Sequence, residues 1–175
     1  MAGHNKWSQI KRQKAKTDAQ KSKIFSKFAK IITQEAKKSG GNLNSPSLKT
    51  AIERARAENM PNENIDRAIK KATTQATDLE LITYESYGPG GCAIVIDALT
   101  DNRNKAAQEI KHILANNGFE LAGIGAATWA FEKTAGEWIP KTTVPISEED
   151  GTLLEKLVNE LEENDEVQDV YTNAE

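Results

Sequence analysis

The residues of this chain best equipped for chemistry are its lysines and arginines. Lys6, Lys11, Arg12, Lys14 and Lys16 follow one another with a single aromatic, Trp7, and little apolar content to fold on. Lys23, Lys27, Lys30 and Lys37 fall on one side of a helix at about 100° per residue, with Gln34 among them. Arg54 and Arg56, then Arg67, Lys70 and Lys71, continue the series. Met1–Gly40 holds 11 basic residues against only Asp18 and Glu35. A helix face of lysines is ordinarily just a solvated face. One with so few acids neutralises phosphates and releases their counterions, which is the footprint of nucleic-acid binding. Trp7 suits stacking on a base, or equally packing the arm onto the helices behind it.

The rest of the charge distribution sharpens this reading. Met1–Ala76 carries 17 Lys+Arg against 6 Asp+Glu, and Thr77–Glu175 carries 6 against 20. The listless net charge of −3 therefore hides halves of +11 and −14. A polyanion suits the first and is repelled by the second. The expected division is a basic helical domain with an N-terminal arm over 1–76 and an acidic α/β domain over 77–175.

No other constellation of residues assembles. Two histidines, His4 and His112, and one cysteine, Cys92, are too few for a convincing metal site and exclude an internal disulfide. Cys92 reads as a small buried hydrophobe and His112 as a solvated side chain. Gly88-Pro89-Gly90-Gly91 precedes a strand and lacks a following Gly-Lys-Ser/Thr, so it reads as a tight turn and not a phosphate loop. Glu148, Glu149 and Asp150 complement the dipole at a helix start. Nothing joins a nucleophile, a base and an oxyanion donor. The expectation is a non-enzyme with no cofactor, no metal and no small-molecule substrate. The apolar runs fall short of a membrane span, and the lysines at the N-terminus precede no apolar secretory core. With one cysteine, a reducing cytoplasmic setting is expected.

Three helices are expected to carry the cations. Ile24, Phe25, Phe28, Ile31, Ile32 and Ala36 form the apolar stripe of one over Lys23–Lys38, ended by Gly40-Gly41. Ser45-Pro46 supplies a cap and first-turn proline for a second, with Leu48, Ala51, Ile52 and Ala55 inside. Ile65, Ala68 and Ile69 line the third, after Pro61-Asn62. Ala72–Asp78 reads as a linker. Strands are expected over Cys92–Leu99, Ile124–Phe131, Glu137–Lys141 and Val167–Tyr171. Between them lie a helix capped by Thr100 or Asp101 and stopped by Gly118, and a last helix marked by Leu153, Leu154, Leu157, Val158 and Leu161. The order βαββαβ gives an α+β fold, a ferredoxin-like unit with both helices on one face of the sheet.

Longer stretches carry a resemblance. Met1-Ala2-Gly3-His4-Asn5-Lys6-Trp7, then Ile10-Lys11, Lys14 and Asp18, resembles the opening of the YebC/PmpR family, with Asn5 where that family has Ser. Ala51–Ala72, Tyr84–Asn104 and Leu153–Asn173 resemble it as well. The resemblance implies a helical first domain with α/β domains behind it. It also implies a transcriptional regulator that binds DNA, or a translational activator acting on ribosomal or other structured RNA. A third alternative is an adaptor whose acidic domain docks a basic protein. The family's third α/β domain has no room here: only Glu132–Gly151 fills its place, so the expectation is a member lacking it around 132–151.

Overall fold

The computed structural model describes residues 17–74 and 78–175. Two compact units divide at Glu80/Leu81.

The first unit holds three helices among its described residues: α1 (Asp18–Lys38), α2 (Pro46–Ala57) and α3 (Asn62–Thr74). α1 starts ahead of the apolar stripe because Thr17 and Gln20 form a capping box. The Gln20 backbone N–H donates to Thr17 Oγ1 (3.2 Å), and the Thr17 N–H to Gln20 Oε1 (2.8 Å). Its end is the expected one. Gly40 and Gly41 take φ of 62° and 82°, and the Gly41 N–H reaches back to the Ala36 carbonyl. Ser45 stands at the start of α2 with Pro46 in the first turn, but its side chain makes no capping bond. The Ser45 hydroxyl lies instead 3.3 Å from that of Ser47. The expected linker is partly helical, since α3 runs to Thr74.

α1 packs on both α2 and α3. Ile32, Leu48, Met60 and Ile65 fill the core, and Ala36, Ala51, Ala55 and Ala68 let the helices approach closely. Phe25, Phe28, Ile31, Ile52 and Ile69 close it from the sides. Thr33 is buried within α1, where its hydroxyl donates to the Ala68 carbonyl at 2.9 Å. That bond satisfies a polar group that would otherwise cost stability in the core.

The second unit is α+β. Its elements run β1 (Glu80–Tyr87), β2 (Ala93–Thr100), α4 (Arg103–Asn116), β3 (Leu121–Ala122), β4 (Phe131–Thr134), β5 (Glu137–Pro140), α5 (Glu148–Glu163) and β6 (Val167–Thr172). A four-stranded sheet has the order β3–β1–β2–β6, while β4 and β5 pair separately as a hairpin. β2 is buried on both faces. Cys92, Ile94, Ile96 and Ala98 meet Ile110 and Leu114 of α4 and Leu154, Leu157 and Leu161 of α5. Both helices therefore cover one face, as the α+β reading expects. On the other face Ala93 and Val95 meet Ala127, Ala130, Phe131 and Trp138.

Strand placement needs two corrections. Glu80–Tyr87 is a strand that the sequence reading missed, because its inward positions include the polar pair Glu85 and Ser86. Ile124–Phe131 is no strand. It is a loop with a single 3₁₀ turn at Thr128–Ala130, and the strand begins only at Phe131. The two errors share a cause. The buried Glu85 carboxylate takes the N–H groups of Gly125 (2.7 Å), Ala127 (2.9 Å) and Thr128 (2.7 Å), leaving that segment fewer donors for a ladder. A third correction concerns α4: Asn102 is its cap, accepting from the Lys105 N–H, while Thr100 accepts from the Asn102 N–H.

Two positions of the turn at Gly88–Gly91 are packed too tightly for a side chain. A Cβ on Gly88 would meet Ile94 Cδ1 at 2.5 Å, and one on Gly90, where φ is 71°, would meet Ile146 Cγ2 at 2.6 Å. Asn173, buried at the end of the sheet, accepts from the Ala93 N–H (2.7 Å) and donates to the Thr142 carbonyl (3.1 Å). This fixes the stretch that leads from β5 into α5.

Two stability effects follow. Burial acts to raise the Glu85 pKa, but the backbone donors of Thr128, Ala127 and Gly125, with the Thr128 hydroxyl, outweigh it and hold the group below its ordinary value of 4.5. With the native pKa depressed, this stabilisation is present above 4.5 and is lost as pH falls through the native value. Glu85→Gln should cost about 1–3 kcal/mol, because an amide N–H would face one of the three donors. Urea unfolding at pH 7 and below 4 should show the wild-type advantage shrinking with acid. The β4–β5 turn places Ala135 (φ 51°) and Gly136 (φ 81°) in mirror-image conformations. Ala135→Asn should stabilise by about 1 kcal/mol, read as a rise in the thermal midpoint, because Asn tolerates that region.

Candidate nucleic-acid interface

The cations named from the sequence fall into three sets. Lys6, Trp7, Lys11, Arg12, Lys14 and Lys16, with His4, lie outside the described residues. Lys23, Lys27, Lys30 and Lys37 share the face of α1 opposite its core stripe, yet only Lys23 is exposed; the other three are half-buried. Lys37 also has a partner, the Asp78 carboxylate at 2.7 Å. This lysine face is therefore neither fully open nor wholly uncompensated.

The third set lies on α2 and α3, and all five residues are exposed. Arg54 and Arg56 are two positions apart, which places them about 160° apart around the helix. Arg54 sits over the Phe28 ring of α1, 6.0 Å from its centroid. The Arg56 Nε donates to Asn62 Oδ1 at the start of α3 (3.2 Å). The fold does not bring these two together. Arg67, Lys70 and Lys71 are three and four positions apart, so they share the outer face of α3. Glu63 and Asp66 border that face, and Arg67 approaches Glu63 at 3.4 Å with both side chains exposed. Such a pair contributes little and opens readily to a phosphate.

Lys21, Lys38 and Lys49, which the sequence did not single out as candidate contacts, are also exposed on this unit. Lys38 is 3.4 Å from Glu35. The connection from α2 to α3 restarts the chain at Pro61-Asn62, and the sequence carries no helix-turn-helix signature there. Glu58–Pro61 is a short turn in which Asn59 takes φ of 64°. Asparagine is one of the few non-glycine residue types that enters that region readily.

Elsewhere the chemistry is quiet. Among the described residues no three His, Cys, Asp or Glu side chains are placed to hold a metal. Cys92 is buried, and its burial pushes the thiol pKa up, away from the reactive thiolate. His112 is exposed, with its Nε2 3.2 Å from Asn116 Nδ2. Ser147 caps α5 by accepting from the Asp150 N–H, so Glu148, Glu149 and Asp150 occupy the first turn as a dipole complement. No described helix is long and apolar enough to cross a membrane.

Comparison with known proteins fits this layout. Residues 5–75 match the model of the TACO1/YebC protein N-terminal domain. Residues 79–136 and 132–174 match the TACO1/YebC second and third domain. A probable transcriptional regulatory protein of Thermoanaerobacter pseudethanolicus is 38% identical over 239 aligned positions, covering 100% of this chain and 97% of that one. Another, from Thermotoga maritima, is 37% identical over 238 positions, covering 100% and 94%. This chain has 175 residues, so those alignments include stretches of the relatives without a counterpart here. The crystal structure of a conserved hypothetical protein from Aquifex aeolicus superposes with a TM-score of 0.83 at 32% identity, covering 98% of this chain and 97% of that one. The chain belongs to the TACO1/YebC family.

Proposed function

We propose that this protein is a non-enzymatic regulator of gene expression that binds nucleic acid through its basic helical unit. The observation that carries the reading is the segregation of charge, +11 over Met1–Ala76 against −14 over Thr77–Glu175. The exposed side chains of Arg54, Arg56, Arg67, Lys70 and Lys71 supply phosphate contacts from α2 and α3. The α1 lysines and the arm Lys6–Lys16 extend the same field. Relatives bearing the name probable transcriptional regulatory protein support DNA as the target. The relatives' additional stretch is, on this reading, the third domain, absent here around 132–151, and the primary contact does not depend on it.

One observation favours a second target, structured RNA bound in the course of translation. The cations surround the helical unit, with Arg54 and Arg56 on different sides, and phosphate contacts spread this way follow shape more than sequence.

Binding should be electrostatic in either case. Lys70→Glu with Lys71→Glu touches no core residue and should weaken binding while leaving the thermal midpoint unchanged. The log–log salt slope, measured by fluorescence anisotropy with duplex DNA and with structured RNA, should fall by about 0.7–0.9 for each phosphate contact removed. Lys23→Glu with Lys27→Glu and Lys30→Glu should abolish binding. Affinity that is independent of salt, or unchanged in both variants, contradicts the proposal.

A further inference from the structure

The acidic unit displays an apolar patch outside the basic helices. Trp129 is 58% exposed, Tyr87 39%, and Ile124 is fully exposed. All three belong to the loop over the helix-free face of the sheet or to the strand beneath it. The loop is held rigidly. Glu85 anchors its backbone through three N–H bonds. The Trp129 Nε1–H donates to the Ala126 carbonyl (2.9 Å) and approaches the Tyr87 hydroxyl (3.1 Å), which itself donates to Ala126. Both aromatic side chains thus spend their polar atoms within the protein and turn apolar surface outward. Single exposed hydrophobics are ordinary; here Tyr87 of β1 and Trp129 of the loop are fixed together through Ala126, with Ile124 exposed on the same loop, and such a group marks a contact surface. Rigid Trp and Tyr side chains are also the usual anchors of protein interfaces, because little freedom is lost on binding.

The charge of the unit as a whole selects the partner. Glu120, Glu132 and Glu137 are exposed on the segments bordering the loop, against Lys133 and Lys141. The Lys133 ammonium lies 4.9 Å from the Trp138 ring centroid. Residues 77–175 as a whole carry −14, so phosphate is repelled and a cationic chain attracted. We propose that Tyr87, Ile124 and Trp129 form a docking surface for a basic protein segment that lays an apolar side chain against them. The partner is a second class of ligand, distinct from the nucleic acid of the helical unit.

The test uses the full-length protein and defined probes: a lysine-rich peptide with one central leucine, the same peptide with serine there, and oligouridylate. Wild type should prefer the leucine peptide by about tenfold, the value of burying one leucine side chain. Ile124→Ser and Trp129→Ala should both lose that preference, with oligouridylate binding unaltered. Ile124 is fully exposed, so its variant keeps the native thermal midpoint and remains informative even where Trp129→Ala disturbs the loop. No preference in wild type, a preference retained by Ile124→Ser, or a loss of oligouridylate binding in that variant would overturn the proposal. The last outcome would assign the patch to base stacking. Failure of wild type to bind any nucleic acid would count against the helical-unit reading alone, leaving the peptide comparison intact.

Discussion

Mutual repulsion among cations is the constraint that shapes the helical unit. Most turns of α1 place a lysine near others, and burial on the opposite face holds them there. Ile32, Leu48, Met60 and Ile65 provide that burial, and the alanines between them bring the helices close enough for it to be continuous. Because the core stripe of α1 and its lysines lie on opposite faces, those cations need not enter the core. Some repulsion is relieved locally, by Asp78 at Lys37, Glu35 at Lys38 and Glu63 at Arg67. The remainder is what the proposed binding of a polyanion would relieve.

The α+β unit answers a different constraint, a carboxylate buried beneath a loop. Glu85 costs solvation energy on entering the fold and regains it from three backbone donors. Those donors come from a segment that would otherwise need a strand partner. One side chain thus determines that the helix-free face of the sheet is covered by a loop, that Ala127, Ala130 and Phe131 reach Ala93 and Val95, and that Trp129 faces outward. Asp97 plays a smaller part on the same face, accepting from the Thr83 hydroxyl (2.7 Å) and the Trp138 Nε1–H (3.3 Å).

How much was legible in the sequence depended on whether periodicity or a particular side chain controlled each segment. The helices were legible because their apolar residues recur every three or four positions, and β2 because nearly all of it is apolar. Gly40-Gly41 and Gly118 marked helix ends through the left-handed conformation they adopt. β1 was missed because Glu85 and Ser86 break the alternation that identifies a strand. Ile124–Phe131 was misread because its Ile, Trp and Phe resemble a strand when the carboxylate that claims its N–H groups is out of sight. Among the candidate site residues, exposure on α3 followed from the helical wheel. The half-burial of Lys27, Lys30 and Lys37, and the Lys37–Asp78 pair, did not, since both depend on packing that spacing alone does not encode.

The central claim is that contact with nucleic acid belongs to the basic helices and not to the α+β unit. Ultraviolet crosslinking in cells, followed by protease digestion and mass spectrometry of the nucleotide-bearing peptides, measures this directly. The account predicts adducts confined to peptides from residues 1–76, with those of α2 and α3 among them. Adducts centred on residues 78–175, above all on the peptide containing Trp129, would contradict it.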